Sequence, residues 1–588
     1  MTQPPLPLVG HHVNWRRRMI RSLIYGRDVD RDAKARARVG LAMLAFAGVY
    51  GVIMFKLTMI AVLGDSHGAR RTAASDAIAT ARPDIVDRNG TILATDVKTP
   101  SLFGEPRRII DQDEAVELLT ATLPDLETQE VRERLASKKG FVWLKREITP
   151  RQQADIKKLG IPGIGFLREN KRVYPTGPEV SHLIGLVNID NQGIAGIEKW
   201  LDTNGLADLH RAGFASDRLQ KPVELAVDIR VEHALRDELI KAKQKFSAKA
   251  ASGLVSNVRT GEIVAMVSLP DFDPNNPREA NDPDRINRLT TGVYEMGSTF
   301  KTLTLAMALD AGKATLNTMY DARGPLHYGK FKIHDTHNMG RAISLSEVFT
   351  YSSNVGAARV ALSMGVDAHK AFLKKVGQLD RLRTELPESA SPIVPKRWGE
   401  LNTITISFGH GVAVAPLQAV MGINAMVNGG YLIPPTFLRR TEEDALKMAK
   451  RVVKKETSDK IRYLMRLNAE VGTAKTADQI AKGYYLGGKT GTSEKVINGR
   501  YAKKQVLNSF TAVLPADNPQ YQVLVMLDEP KALPETHGFI TSGWNAVPTG
   551  GNVIARIAPL LGIEPRFDLP PPDRLILAAS RTAQAEPR

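Results

Sequence analysis

The chain contains no cysteine, which excludes a disulfide framework and leaves no thiol open to oxidation. It also has no internal repeat, no zinc-finger spacing, no aromatic-basic RNA signature and no basic helix with heptads. The net charge of +17 and the pI near 9.7 therefore do not lead to a nucleic-acid partner. What is present is a 588-residue chain with 43% hydrophobic residues, enough for two or three domains with sizeable cores.

Part of the positive charge is local. Residues 1–38 hold nine Lys/Arg, among them Arg16, Arg17, Arg18 and Arg21 of "WRRRMIR", against Asp28, Asp30 and Asp32, an excess of six. There follow "VGLAMLAFAGVYGVIMF", seventeen uncharged residues from Val39 to Phe55, then Lys56 and "LTMIAVLG". As a helix, Val39 to Leu63 would reach roughly 37 Å, sufficient for a bilayer core of about 30 Å with Lys56 snorkelling to an interface. The run lacks the polar face of a core helix. Its basic flank is too long for a cleaved signal peptide, and no small-x-small site closely follows it. The expectation is a single-span, uncleaved anchor at 39–63, with residues 1–38 in the cytoplasm and the rest across the membrane, a compartment that the missing cysteines suit.

Beyond a small, polar linker, "RPDIVDRNGTILATD" reads as two strands around an Asn-Gly turn, and "DEAVELLTATL" and "TPRQQADIKKL" as helices. Residues 64–221 form a support region without a dense set of catalytic residue types. From 222 to 565 the pattern changes. A hairpin at Gly253–Val258 and Ile263–Ser268 and another between Val506 and Leu527 bracket several helices, predicting one antiparallel sheet enclosing a helical subdomain, an α+β fold. Residues 566–588, Pro-led and polar, are expected to be a mobile tail.

In "GSTFK", Ser298 and Lys301 stand three apart at the head of an apolar helical segment, with Gly312 as its C-terminal cap. A serine hydroxyl is a poor nucleophile at neutral pH, and a desolvated lysine beside it can act as its base. Alone, the pair is one that chance produces. Two further segments add specificity: "TYSSNVGAARVAL" supplies Ser352 and Asn354, and "YYLGGKTGTSEK" supplies Lys489, Thr490, Gly491 and Thr492 on an expected edge strand.

Ser-x-x-Lys, Ser-x-Asn and Lys-Thr-Gly in this order resemble the active-site set of penicillin-binding proteins and serine β-lactamases, with Ser353 at the position that can hold Asp. The segments "RPDIVDRNGTILA", "RVYPTGPEVSHLIGLV", "GIAGIEKWLD", "GEIVAMVSLPDFDPNNP", "SFGHGVAVAPLQAVMGINAMVNGG" and "SFTAVLPADNPQYQVLV" extend the resemblance to class B penicillin-binding proteins over roughly Arg82 to Pro565. "NRLTTGVYEMGSTFK" and "GKTGTSEKVINGRY" are more similar to the division-specific FtsI type than to the elongation-specific type, although Met296 replaces a usual proline.

The resemblance implies a D,D-transpeptidase that cross-links peptidoglycan stem peptides of the septal wall and is acylated by β-lactams. It makes Ser298 the nucleophile, Lys301 its base, Ser352 a proton relay and Asn354 a ligand of the substrate backbone. Lys489 raises the local potential, Thr490 and Thr492 bind the terminal carboxylate, Gly491 permits close approach, and the N–H groups of Ser298 and Thr492 form the oxyanion hole. It implies no cofactor and no metal. The implied partners are glycan from lipid-linked precursors, an FtsW-type glycosyltransferase and divisome membrane proteins, and the implied location is the bacterial inner membrane with the catalytic domain periplasmic. A β-lactamase is disfavoured because Glu400 in "WGELNT" lacks the Glu-x-x-Leu-Asn spacing of a deacylating glutamate, and a penicillin sensor or scaffold because the reacting groups are intact. His334 and His337 of "HDTHN" lack a third ligand for zinc. His410 matches the family without an assigned role.

Overall fold

The computed structural model describes residues 31–63, 82–205, 221–497 and 500–577. The linker at 64–81, the basic segment before Arg31 and the tail from 578 lie outside them. Helix α1, Arg31–Leu63, carries a 20-residue window, Val39–Thr58, of mean hydropathy 1.8, interrupted only by Lys56. At 1.5 Å per residue this window spans about 30 Å, the thickness of a bilayer core. Leu44, Phe46, Met54 and Phe55 are exposed, so the helix is apolar all round rather than along one stripe, the pattern of a segment solvated by lipid.

Strand β1 (Ile85–Val86) turns through Asn89–Gly90 into the long β2 (Ile92–Gly104). The Asp87 carboxylate accepts from Asn89 N and Thr91 N, both at 2.8 Å, and Gly90 takes φ +84°, a conformation that favours glycine. Strands β3 (Val142–Lys145) and β4 (Ile164–Val173) both pair antiparallel with β2, and the returning chain at β5 (Val223–Glu224) pairs parallel with β1. A core of Leu102, Leu119, Leu123, Leu135 and Ile156 joins this sheet to three helices, the last of which starts with a Thr149–Gln152 capping box.

A second cluster in this region is ionic. Glu198, on α2 (Gly196–Trp200), is fully buried between Arg82 Nε at 2.8 Å and Arg172 Nε at 2.7 Å. Arg172 also reaches Asp96 at 3.1 Å, and Arg82 reaches Asp202 at 2.6 Å. Burial alone would lower the Arg172 pKa, but Glu198 and Asp96 reverse this and raise it. The three motif segments around Arg82, Arg172 and Glu198 are thereby tied into one unit.

The second sheet is five-stranded and antiparallel, in the order β8 (Gly487–Ile497), β9 (Arg500–Leu514), β10 (Tyr521–Asp528), β6 (Ala250–Asn257) and β7 (Ile263–Leu269). Both expected hairpins are present, and their strands join through β10–β6 although they come from opposite ends of the region. Strand alternation divides the core. Val523, Val525 and Leu527 pack with α3 (Ile229–Lys245) and the C-terminal helix Ala546–Leu560, whereas Leu524 and Met526 face the helical subdomain. That subdomain includes α4 (Lys301–Asp310) and α5 (Asn354–Met364). Part of the segment expected to be mobile is packed: Arg566 pairs with Asp517 at 2.6 Å, and Ile576 is buried against Tyr485 and Ala516.

Candidate active site

Ser298 lies in a 3₁₀ turn, Gly297–Phe300, that runs directly into α4. In 3₁₀ geometry residues three apart eclipse one another, which brings Lys301 Nζ to 3.0 Å from Ser298 Oγ. Lys301 begins an almost wholly buried helix, and its own side chain is 0% exposed. Gly297 has φ +53°, and a Cβ there would stand 2.8 Å from Thr492 O and 2.7 Å from Ser493 Oγ. Glycine lets the serine turn press against the edge strand β8. Gly491 serves the same contact: its Cβ would meet Met296 O at 2.7 Å. The close approach expected at Gly491 is thus already made by the protein's own backbone.

Met296 is buried, and its carbonyl accepts from Thr299 Oγ1 at 2.8 Å, closing the turn from below. Across the site, Ser352 is held at φ +59°, an uncommon conformation for a residue with a side chain. Its carbonyl lies 2.5 Å and its Oγ 3.1 Å from Lys301 Nζ, while Asn354 Oδ1 lies at 2.8 Å from the same amine. Lys489 Nζ donates to Ser352 Oγ at 2.9 Å, so that one hydroxyl sits between two amines. The structure therefore gathers Ser298, Lys301, Ser352, Asn354 and Lys489 into one hydrogen-bonded cluster. Thr490 and Thr492 adjoin it with partners of their own: Thr490 Oγ1 bonds Thr473 Oγ1 at 2.9 Å, and Thr492 Oγ1 accepts from Ser542 N at 3.1 Å.

Both lysines are 0% exposed. Burial and then the charge of Lys489 hold the Lys301 amine well below the ordinary lysine range, with Asp335 opposing the shift, and burial brings Lys489 down to about 7. Lys489 also lies over the Phe349 ring, with Nζ 5.6 Å from its centroid.

Other residues named from the sequence lie outside this cluster. Glu400 is exposed and accepts from Tyr328 OH at 2.9 Å. His410 is half-buried beside Phe408 and Tyr501, and desolvation lowers its pKa to about 4. Among the described residues no group of three or more His, Cys, Asp or Glu is arranged to hold a metal. Asp335, by contrast, was not singled out from the sequence, yet it contacts Ser353, Asn354 and Val355. It lies in the same "HDTHN" segment as the paired histidines, and only the tertiary contact distinguishes it.

The penicillin binding protein transpeptidase domain matches residues 251–542, and the penicillin-binding protein dimerisation domain matches residues 77–203. The probable peptidoglycan D,D-transpeptidase FtsI of Caulobacter vibrioides is 39% identical over 499 residues, covering 83% of each chain. The probable peptidoglycan D,D-transpeptidase PenA of Neisseria meningitidis serogroup A is 30% identical over 567 residues, covering 92% of this chain and 95% of that one. In fold, the chain is similar to penicillin binding protein 3 of Mycobacterium tuberculosis, solved with aztreonam, with a TM-score of 0.63 at 22% identity, covering 84% of this chain and 98% of that chain. With the serine–lysine cluster inside the matched catalytic region and a dimerisation region before it, this chain belongs to the class B penicillin-binding proteins, the serine-type peptidoglycan D,D-transpeptidases.

Proposed function

We propose that Ser298 is the acylated nucleophile and Lys301, in its neutral form, the base that activates it. The observation that carries this reading is the set of partners around Lys301 Nζ. A neutral amine has two N–H donors and one lone pair. Ser352 O and Asn354 Oδ1 are acceptors that cannot donate, and they take the two N–H groups. The lone pair is then left for the two hydroxyls beside it, Ser298 at 3.0 Å and Ser352 at 3.1 Å, of which Ser298 gives up its proton in the attack. Attack on the penultimate D-alanine carbonyl of a stem peptide transfers the serine proton to Lys301 and forms the tetrahedral intermediate. The N–H groups of Ser298 and Thr492 stabilise its oxyanion. Ser352, between the two amines, passes a proton to the departing D-alanine nitrogen, leaving an acyl-enzyme for an acceptor amine to attack. Asn354 orients the substrate backbone, and Lys489, Thr490 and Thr492 receive its terminal carboxylate.

Intact mass after penicillin treatment tests this assignment: a long-lived adduct on the wild type and none on Ser298→Ala supports it. An adduct on both would refute Ser298 as the nucleophile, and rapid return of the wild type to its free mass would point to a β-lactamase rather than a transpeptidase. In this reading residues 1–38 are cytoplasmic, 39–63 the anchor, 64–221 a periplasmic pedestal, 222–565 the transpeptidase region and the residues from 566 a tail. The basic flank before an apolar helix supports that orientation. The FtsI name of the Caulobacter relative supports a role at the division septum, with an FtsW-type glycosyltransferase and divisome membrane proteins as partners. Midcell enrichment of a fluorescent fusion is the expected result, and side-wall placement would instead indicate elongation.

A further inference from the structure

The first turn of α5 has an unusual arrangement of donors. Its N-cap, Ser353, accepts from Gly356 N at 2.9 Å, which leaves the N–H groups of Asn354 and Val355 without helical partners. Both point to one oxygen: Asp335 Oδ1 accepts from Asn354 N at 2.5 Å and from Val355 N at 2.9 Å. The other oxygen, Oδ2, accepts from Ser353 Oγ at 2.6 Å. The neighbouring carbonyl of His334 accepts from Asn354 Nδ2 at 3.2 Å, which fixes the amide so that Oδ1 faces Lys301. Ser352, the residue before this turn, has φ +59°, a strained conformation for a residue with a side chain that persists only where its surroundings enforce it.

We propose that Asp335 is a positioning residue for the reaction. By pinning the backbone of residues 353–355 it keeps Ser352 Oγ between the two lysines and Asn354 Oδ1 on the Lys301 amine. The proposal rests on the acyl-transfer reading above, and the experiment separates the two. Full-length wild type, Asp335→Ala, Asp335→Asn, Asp335→Glu and Ser298→Ala are compared in detergent with a fluorescent penicillin, resolving the binding constant from the acylation rate constant, alongside melting temperature. Asn retains an oxygen that can accept both N–H groups and an amide that can donate to Ser353, whereas Glu retains the charge and moves the oxygens.

Asp335→Ala is expected to lose roughly tenfold to a hundredfold in acylation rate, the scale set by a 1 Å misplacement, with binding changed less than about threefold. Asp335→Asn should recover most of that rate, and Asp335→Glu should not. Wild-type acylation in Asp335→Ala, equal losses in Ala and Asn, or Glu outperforming Asn would each overturn the proposal. Should the Ala variant not fold, the order of Asn and Glu decides. A wild type that does not acylate, or a Ser298→Ala that does, would instead sink the acyl-transfer reading itself.

Discussion

The cations buried around Glu198 and those buried around Ser352 are built on opposite rules. Around Glu198 two arginines are paired with carboxylates on several sides, and these pairs lock three motif segments together. Around Ser352 two lysines are equally buried, but their hydrogen bonds go to hydroxyl, carbonyl and amide oxygens rather than to carboxylates. Burial is common to both, and the partner's charge decides the outcome. Arg172 is pushed up, whereas Lys301 and Lys489 are pushed down. A cation meant to hold a fold is surrounded by anions, and one meant to take a proton is kept from them.

Transferring the first rule into the second cluster should have the largest effect. Lys301→Arg places a group that does not deprotonate where a neutral amine is required, and the planar fork cannot reproduce the geometry of Nζ. Acylation by a fluorescent penicillin should fall by about 10³-fold, the range of a lost general base, while the protein still folds. Retention of a tenth of the wild-type rate would show that Lys301 is not the base. The converse change, Glu198→Gln, removes the central anion from between two buried arginines. Unfolding by denaturant should show a loss of about 3–5 kcal/mol, as for other broken buried pairs. A loss below about 1 kcal/mol would mean that Asp96 and Asp202 suffice.

The lysines also predict a pH dependence of stability. In the unfolded chain Lys489 titrates near the ordinary value of 10.5, and in the folded protein at about 7. Below pH 7 both states are protonated and the full penalty is present. Between about 7 and 10.5 only the unfolded state holds the proton, so stability rises with pH by about 1.4 kcal/mol per unit from this group. Comparing wild type with Lys489→Met isolates the contribution: the difference between the two should change with pH across that window and stay constant below it. Parallel profiles throughout would place Lys489 in an ordinary, solvated environment.

These contrasts also mark what was legible in the sequence. The chemical types at Ser298, Lys301, Ser352, Asn354 and Lys489 could be read because each stands in a short motif whose spacing is local. The hairpins could be read because an apolar run broken by a turn is a local pattern too. The position of Ser298 at the head of an apolar helix followed for the same reason, although the 3₁₀ turn that closes the 3.0 Å contact did not. Asp335 could not be singled out, because nothing within "HDTHN" distinguishes an aspartate that reaches a helix nearly twenty residues away from one that faces solvent. The Glu198 cluster lay in segments whose resemblance was plain but whose purpose was not: Arg82, Arg172 and Glu198 come from three separate stretches, and their pairing exists only after β2 and β4 are aligned. Gly491 shows a third case: its place in a local motif is legible, but the atoms that crowd it, Ser509 Oγ on β9 and Met296 O before the serine turn, come from elsewhere in the chain.

The smallest expected effect tests whether charge pairing or burial sets the strength of the ionic cluster. Asp202 contacts the same Arg82 as Glu198, at 2.6 Å, but its side chain is 26% exposed where Glu198 is fully covered. Its second oxygen accepts from Gly193 N at 2.5 Å, and an asparagine in the same rotamer keeps an oxygen for one of these two donors. Arg82 would retain Glu198 and the carbonyls of Asn191 and Glu198, so no buried guanidinium is left without an acceptor. With water able to replace part of the lost attraction, Asp202→Asn should cost only about 0.5–1 kcal/mol, several times less than Glu198→Gln despite the shorter contact. If denaturant unfolding instead gave equal losses for the two variants, the number of carboxylates around Arg82 and Arg172, rather than their removal from water, would be what stabilises this region.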